Sequence, residues 1–437
     1  MSAIRRNAWR NWAGNQRCTP TAIDVPSSED ELVGLVKTAA AAGERLRVVG
    51  SGHSFTDTAC TEGRMVRLDN YGRVLGTDTE RRQITVQGGI TIRRLNDELA
   101  ARGLAMANLG DIGYQTITGA ISTGTHGTGA QLGGLATQIV GLELITADGS
   151  VVRCSASEEP DVFAAARVSI GALGVISTLT LQCVPAFNLH AREKPMRFDE
   201  VLEQFDELAG TNEHFELYWF PHTEWTYTKR NNRTDEPLKV RAKRKQFMDD
   251  IVISNWVFGA ACAAGKLRPA WIPAIANYAT KALGGANTID RSDKVFTSPR
   301  LVRFVEMEYS VPRENLIDAV RQVRRLIETR DLKISFPIEV RVAAPDDIPL
   351  STASGRASGY VAVHVYRGMQ FEPYFRGVEA IMSERGGRPH WGKMHFQTAE
   401  TLAPRYPRWD GFQAVRRRLD PEGRFANAYT NRVLGPL

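Results

Sequence analysis

The chain has only five cysteines in 437 residues, at 18, 60, 154, 183 and 262, and no C-x-x-C pair among them. Such wide spacing argues against a zinc site or a disulfide scaffold and fits free thiols in a reducing compartment. The eight histidines show no metal-ligand spacing such as H-E-x-x-H, so no metal is expected. No run of 18 or more apolar residues is present, which speaks against a transmembrane helix. The start, Met1-Ser-Ala-Ile-Arg-Arg-Asn-Ala-Trp9, lacks the apolar core of a signal peptide. Repeats and low-complexity tracts are missing, and so is the phosphate loop G-x-x-x-x-G-K-[ST]. Charge of one sign is scarce too: 55 basic against 49 acidic residues leave +6. That is a solvated basic surface rather than a nucleic-acid footprint, so no nucleic-acid partner is expected. What remains is a cytoplasmic protein of ordinary globular composition, long enough for two domains.

Against this plain background stands Val48-Val-Gly-Ser-Gly-His-Ser-Phe55. A strand (Arg45–Val49) runs into a loop with Gly50 and Gly52, followed at once by His53. Glycines let a backbone approach a phosphate closely, and His53 adds a nucleophilic ring nitrogen beside whatever the loop holds. The dinucleotide fingerprint G-x-G-x-x-G fails here, because Phe55 occupies the third glycine position and Thr56–Thr61 reads as loop. Alone, the loop is equally an ordinary tight turn.

Two further glycine clusters supply company. Thr118-Gly-Ala-Ile-Ser-Thr-Gly-Thr-His-Gly-Thr-Gly129 is too polar for a core strand and suits a backbone wrapped around a polyanion. Gly171-Ala-Leu-Gly-Val-Ile-Ser177 again sets glycines against an apolar strand.

Strand and helix signals alternate through the first 185 residues. Ser27 or Ser28 caps a helix with apolar positions 32, 35, 36, 39 and 40, closed by Gly43. Met65–Leu68 and Gln83–Gln87 read as strands and Thr91–Arg102 as a helix. Ile139–Ala147 and Val151–Ser155 flank the hairpin turn Asp148-Gly149, a short helix starts at Pro160, and Gly174–Val184 is a strand. After Pro185 the chain reads as α+β: aromatic strands at 215–220 and 225–229, a helix over 314–329, strands at 337–343 and 360–367. This places a boundary near 186, giving units 1–186 and 187–405, with a loop-rich segment 406–437 returning to the first.

Lys239-Val-Arg-Ala-Lys-Arg-Lys245 precedes the apolar stretch Ile251–Ala264, with Trp271 and Tyr278 beyond. This pattern suits peripheral contact of 239–278 with an anionic membrane. It suits equally a surface loop before a buried or dimer-forming helix, which is the expectation here; the oligomeric state is left open.

Gly50-Ser-Gly-His-Ser-Phe, Gly119-Ala-Ile-Ser-Thr-Gly-Thr-His-Gly and Gly171-Ala-Leu-Gly-Val-Ile together resemble the FAD domain of the vanillyl-alcohol-oxidase family. Arg388-Pro-His-Trp-Gly-Lys393 resembles the motif of its aldonolactone-oxidoreductase and alditol-oxidase subgroup. The resemblance implies an α+β protein with a two-subdomain FAD-binding domain and a cap whose antiparallel sheet lies over the flavin. It implies that FAD is held by Gly50, Ser51, Gly52, His53, Ser54, Gly110, Asp111, Thr118, Gly119, Ser122, Gly124, Thr125, His126, Gly127, Gly174, Val175 and Ile176. His53 would carry the flavin through its 8α carbon. Glu339 and Arg341, two apart on one strand face, match a substrate-binding pair, with His364 and Lys393 completing the catalytic set; His390 and His395 are taken as structural. Gly110 matches the position whose size controls oxygen access. Asp111 replaces a serine of the alditol oxidases, which puts polyol specificity in doubt and favours a lactone, above all an aldono-1,4-lactone, or another sugar alcohol, with oxygen or another electron acceptor as second partner. The alternatives are an alditol oxidase with the same site and a membrane-associated flavin electron carrier without turnover.

Overall fold

The computed structural model describes residues 7–281 and 283–437. Three sheets carry the architecture, and the chain visits them in order. Ala22–Asp24, Arg64–Arg67 and Leu46–Val49 form a small parallel sheet with Arg64–Arg67 in the middle. A parallel pair needs a crossover, and the helix Glu29–Ala41 supplies it. Ser28 caps this helix by accepting the Glu31 N–H at 3.2 Å, while the Glu31 carboxylate takes the Ser27 N–H at 2.7 Å. Its buried residues Leu32, Val36 and Ala39 fall on one stripe, packed against Leu46 and Val66.

The second sheet has five antiparallel strands in the order 151–155, 139–145, 175–182, 83–87, 74–78. The expected Asp148-Gly149 hairpin joins its first two strands, with Val151 opposite Ile145. Helices Ile92–Ala100 and Pro160–Ala166 share its core.

From Asn188 onward the chain builds an eight-stranded antiparallel sheet in the order 286–291, 188–197, 225–234, 214–219, 338–343, 358–366, 304–312, 388–389. Side chains on paired strands alternate between its faces. One face is apolar: Leu217, Val340, Val361, Val363, Val365, Val305, Met307 and Val311 pack under the helices Leu316–Thr329 and Glu372–Glu384. The other is built from the residues between them, with Tyr218 opposite Glu339, Glu339 opposite Ala362, and His364 opposite Glu306. This polar face meets the glycine clusters. Gly129 N–H donates to Val342 O at 2.9 Å, and Phe55 N–H to Gly392 O at 2.7 Å.

Four features differ from the sequence reading. The 118–129 cluster opens as a helix, Ile117–Ser122, because Thr118, Ala120 and Ile121 bury against the first core. Thr56–Thr61 contains a single turn, Asp57–Ala59. The C-terminal segment returns to the first two sheets, but through helices Trp409–Leu419 and Ala428–Leu434 as well as loops. Lys243–Leu267 is one continuous helix of 25 residues, long and apolar enough to cross a membrane by length and composition, and only 11% of its most apolar stretch is buried. Of the two alternatives expected, a buried or a dimer-forming helix, this exposure overturns the buried one. The run rule missed the helix because its apolar part, 251–265, spans only 15 residues between Asp250 and Lys266, with Ser254 and Asn255 inside it.

Candidate active site

Two cavities meet at His53. The first, about 820 Å³ with its mouth, runs between the loop after Leu46–Val49, the start of the Ile117–Ser122 helix and the 170–176 turn. Of the residues expected to hold a cofactor, Gly50, Ser51, Gly52, His53, Ser54, Thr118, Gly119, Ser122, Gly174 and Ile176 line it. Gly52 has φ +68°, a conformation open chiefly to glycine, and this turn carries the backbone past the Trp9 ring. Trp12 stacks on the His53 imidazole at 5.4 Å and 28°. Burial alone pushes that imidazole down to about 4, so its ring is neutral at neutral pH.

The second cavity, about 700 Å³, lies under the polar sheet face. Gly110, Asp111, Thr125 and His126 line it with all four expected catalytic residues, Glu339, Arg341, His364 and Lys393. Gly124, Gly127 and Val175 line neither cavity. Gly124 turns the chain at φ +77° after the short helix, a side chain at Gly127 would run into Asn108 and the Leu109 carbonyl, and Val175 packs in the core of the parallel sheet.

The charged side chains sort into two bonded groups. Arg341 is the centre of one: it holds Asp111 at 2.6 Å and Glu216 at 2.7 Å, and it touches Glu339. Arg300 takes the other oxygen of Asp111 at 2.6 Å, and Tyr218 donates to Glu339 at 2.8 Å. Lys393 is the centre of the second, with Nζ 2.6 Å from Glu306 and 2.8 Å from Glu308. His364 faces Glu306 with Nε2 at 3.3 Å, and His126 faces Glu308 at 3.3 Å.

Burial opposes ionisation throughout, and the partners decide the outcome. At Asp111 burial is outweighed by Arg341 and Arg300, which hold the carboxyl below its usual range. Burial is likewise outweighed at Glu306, which Lys393 and His364 bring down to about 2. Lys393 is held above its ordinary value by Glu306 and Glu308 in spite of its burial. Glu339 goes the other way. Burial raises its carboxyl, Arg341 only partly offsets this, and Asp111 and Glu216 add to the rise.

Glu216, Arg300, Glu306 and Glu308 are site residues the sequence reading missed. A signal was there for two: Phe304-Val-Glu-Met-Glu-Tyr-Ser-Val311 puts carboxylates at every second position of an apolar strand. His390 lines the second cavity rather than standing apart from it, whereas His395 bonds Tyr429 at 3.0 Å outside both. The fold also gathers His126, Glu308 and His390 into a set of ligand-type atoms within 4.8 Å, which no spacing revealed. Lys393 already neutralises its carboxylate.

Residues 179–433 match the D-arabinono-1,4-lactone oxidase family, and residues 20–155 match the FAD-binding domain. The chain belongs to the D-arabinono-1,4-lactone oxidase family. It is 48% identical to the L-gulono-1,4-lactone dehydrogenase of Mycobacterium tuberculosis (strain ATCC 25618 / H37Rv), covering 98% of this chain and 99% of that one. With the L-gulonolactone oxidase of Bos taurus it shares 36% identity over 97% and 98% of the two chains. The crystal structure of cholesterol oxidase from B. sterolicum superposes with a TM-score of 0.82 over 98% and 97% of the chains; at 17% identity this is a likeness of fold.

The first cavity fits the FAD of this family on its own features. Thr116 Oγ1 stands between Gly50 and Gly119, where a side chain at either glycine would meet it, and it is buried without a protein partner. Among the described residues, the N–H groups of Ser51, Gly52, His53 and Ser54 also donate to no protein acceptor. Unmet donors and a hydroxyl around a glycine-lined cleft are what a diphosphate satisfies.

Proposed function

We propose that the chain oxidises a CH–OH group of an aldono-1,4-lactone, with FAD in the first cavity and the lactone in the second. The observation that carries this is one sheet face: Glu339, Arg341 and His364 point from adjacent strands into a cavity that Lys393 closes and His53 borders. FAD, when bound, supplies the acceptor for a hydride from the substrate carbon. The protein must take the hydroxyl proton and hold the oxygen as charge develops on it. Glu339 suits the first task, since burial lifts its proton affinity and Tyr218 fixes one of its oxygens. Arg341 and Lys393 suit the second, as cations fixed by their carboxylate partners. His364, held by Pro337 O at 3.1 Å and by Glu306, orients the substrate.

His53 forms the covalent link to FAD in this reading. Its neutral, half-buried ring at the junction of the two cavities supports that role. Acid precipitation tests it: the yellow colour should stay with the protein, and colour in the supernatant would overturn the linkage. Oxygen is the proposed final acceptor, giving hydrogen peroxide. A different acceptor is the second reading, favoured by the mycobacterial relative's name. Five unpaired cysteines support a cytoplasmic setting.

The deciding experiment mixes the purified protein with lactones and polyols under argon and follows the flavin bands. Bleaching by an aldonolactone is the expected result, and bleaching by polyols alone sinks the lactone reading. Peroxide under air, set against dye reduction under argon, then separates the two acceptors.

A further inference from the structure

Ten of the sixteen exposed large apolar side chains among the described residues fall between 238 and 278. Trp256 is 59% exposed, Leu267 83% and Tyr278 80%. The helix Lys243–Leu267 nevertheless stays fastened along one side. Asn255 and Cys262 are buried, and Phe258 packs edge-on against Phe336 at 4.8 Å. One face is therefore in the protein and the other in solvent, so the helix lies along the surface and does not leave it. An apolar face of this extent marks a docking site.

Its charge says for what. Residues 239–271 contain seven Lys or Arg and two acids, Asp249 and Asp250, both already bonded to Arg241 at 3.2 and 2.9 Å. Among the described residues, Lys239, Lys243, Arg244, Lys245, Lys266 and Arg268 pair with no carboxylate. A second copy of the chain would bring the same unpaired cations to a shared interface. An anionic lipid surface compensates them and takes the tryptophans at the headgroup level.

We propose that residues 238–278 dock the protein peripherally on an anionic membrane, the helix Lys243–Leu267 lying in the plane of the surface. The face that fastens the helix adjoins the substrate cavity. Asn255 Nδ2 donates to Pro299 O at 3.2 Å, and its Oδ1 accepts the Leu301 N–H at 2.7 Å. The residue between them, Arg300, lines the cavity and bonds Asp111. The docked helix is thus fastened to the segment that carries a cavity-lining side chain.

Co-sedimentation of the flavin-loaded full chain with vesicles is the test, using phosphatidylcholine alone and phosphatidylcholine mixed with phosphatidylglycerol. Binding should be at least about tenfold tighter on the anionic vesicles and weaken as salt is raised. The triple variant Lys243→Gln, Arg244→Gln, Lys245→Gln should lose on the order of tenfold or more, as should Trp256→Glu. Both variants should keep their flavin absorbance and their turnover in vesicle-free buffer. Absent binding, or equal binding to the two vesicle types, overturns the proposal. So does a concentration-dependent dimer that Trp256→Glu dissolves, because the face would then belong to a second copy.

Discussion

Arg341 Nη2 lies 2.6 Å from Asp111 Oδ1, across a sequence separation of 230 residues. The contact ties the middle of the eight-stranded sheet to a loop of the FAD-binding half, and the same carboxylate holds Arg300. Replacing Asp111 with serine therefore leaves two cations short of one partner. Removing one side of a buried ion pair costs about 3–5 kcal/mol. Asp111→Ser should lower stability by about that order in denaturant titration and raise the lactone KM by more than it lowers kcat. Unchanged stability and KM would show that the pair does not organise the site.

Lys393 is a cation open to a developing alkoxide, since it lines the cavity while Glu306 and Glu308 fix its ammonium. Loss of one preorganised stabiliser of this kind reduces kcat by about 10²–10³. Lys393→Met should fall in that range in anaerobic flavin bleaching, with the flavin still bound. A rate near the parental value removes Lys393 from the chemistry.

The C-terminal return closes the first cavity from behind. Asn427 Nδ2 donates to the carbonyls of Asp57, Thr58 and Cys60 at 3.1, 3.0 and 2.8 Å, and the buried Arg47 donates to Phe425 O at 2.7 Å. Asn427→Ala leaves the Cys60 carbonyl without its donor and removes the cap on the Thr430 N–H, a loss of about 1–3 kcal/mol. Thermal melting followed by flavin absorbance should register it, whereas lactone kcat should not change. A kcat loss without a stability loss contradicts a purely fastening role.

Much of this was legible in the residues. Ser28, the Asp148-Gly149 turn and the two-residue period of Pro337–Ala343 act over a few positions, so local chemistry decides them. Glu339 and Arg341 share a face for the same reason. Glu216 and Arg300 were invisible, because a strand pairing and a loop bring them to Arg341 and Asp111 from far along the chain. Nothing in the strand Arg45–Val49 marked Arg47 as buried; the carbonyls of Ile170 and Phe425 that make its burial tolerable come from distant turns. The apolar stretch Ile251–Ala264 was legible but its exposure was not, since Asn255 fastens the helix to a loop far along the chain by accepting the Leu301 N–H.

His390 gives the molecule a measurable response to acid. Its imidazole is pushed down to about 3, first by burial and then by the Lys393 ammonium, against the opposing pull of Glu308 and Glu306. Its Nδ1 accepts the Gly392 N–H at 3.1 Å, a bond that only an unprotonated nitrogen can make. The unfolded chain takes up a proton near its ordinary value of 6.5, which the folded chain refuses until about 3. Stability is therefore full above pH 6.5 and falls as the pH drops through this window, by up to about 1.4 kcal/mol per pH unit for one such proton. The depressed carboxylates act lower: Glu306, brought down to about 2, stabilises above its ordinary 4.5 and loses that contribution only as the pH falls further. Between pH 6.5 and 4.5 the depressed carboxylates are silent, and the loss of stability belongs to the buried histidines, opposed by the raised carboxyl of Glu339. His390→Asn keeps an acceptor for Gly392 and removes the titration. Urea unfolding across this range should show the variant with a slope shallower by roughly one proton, and a slope equal to the parent's would mean that His390 titrates as freely in the fold as out of it.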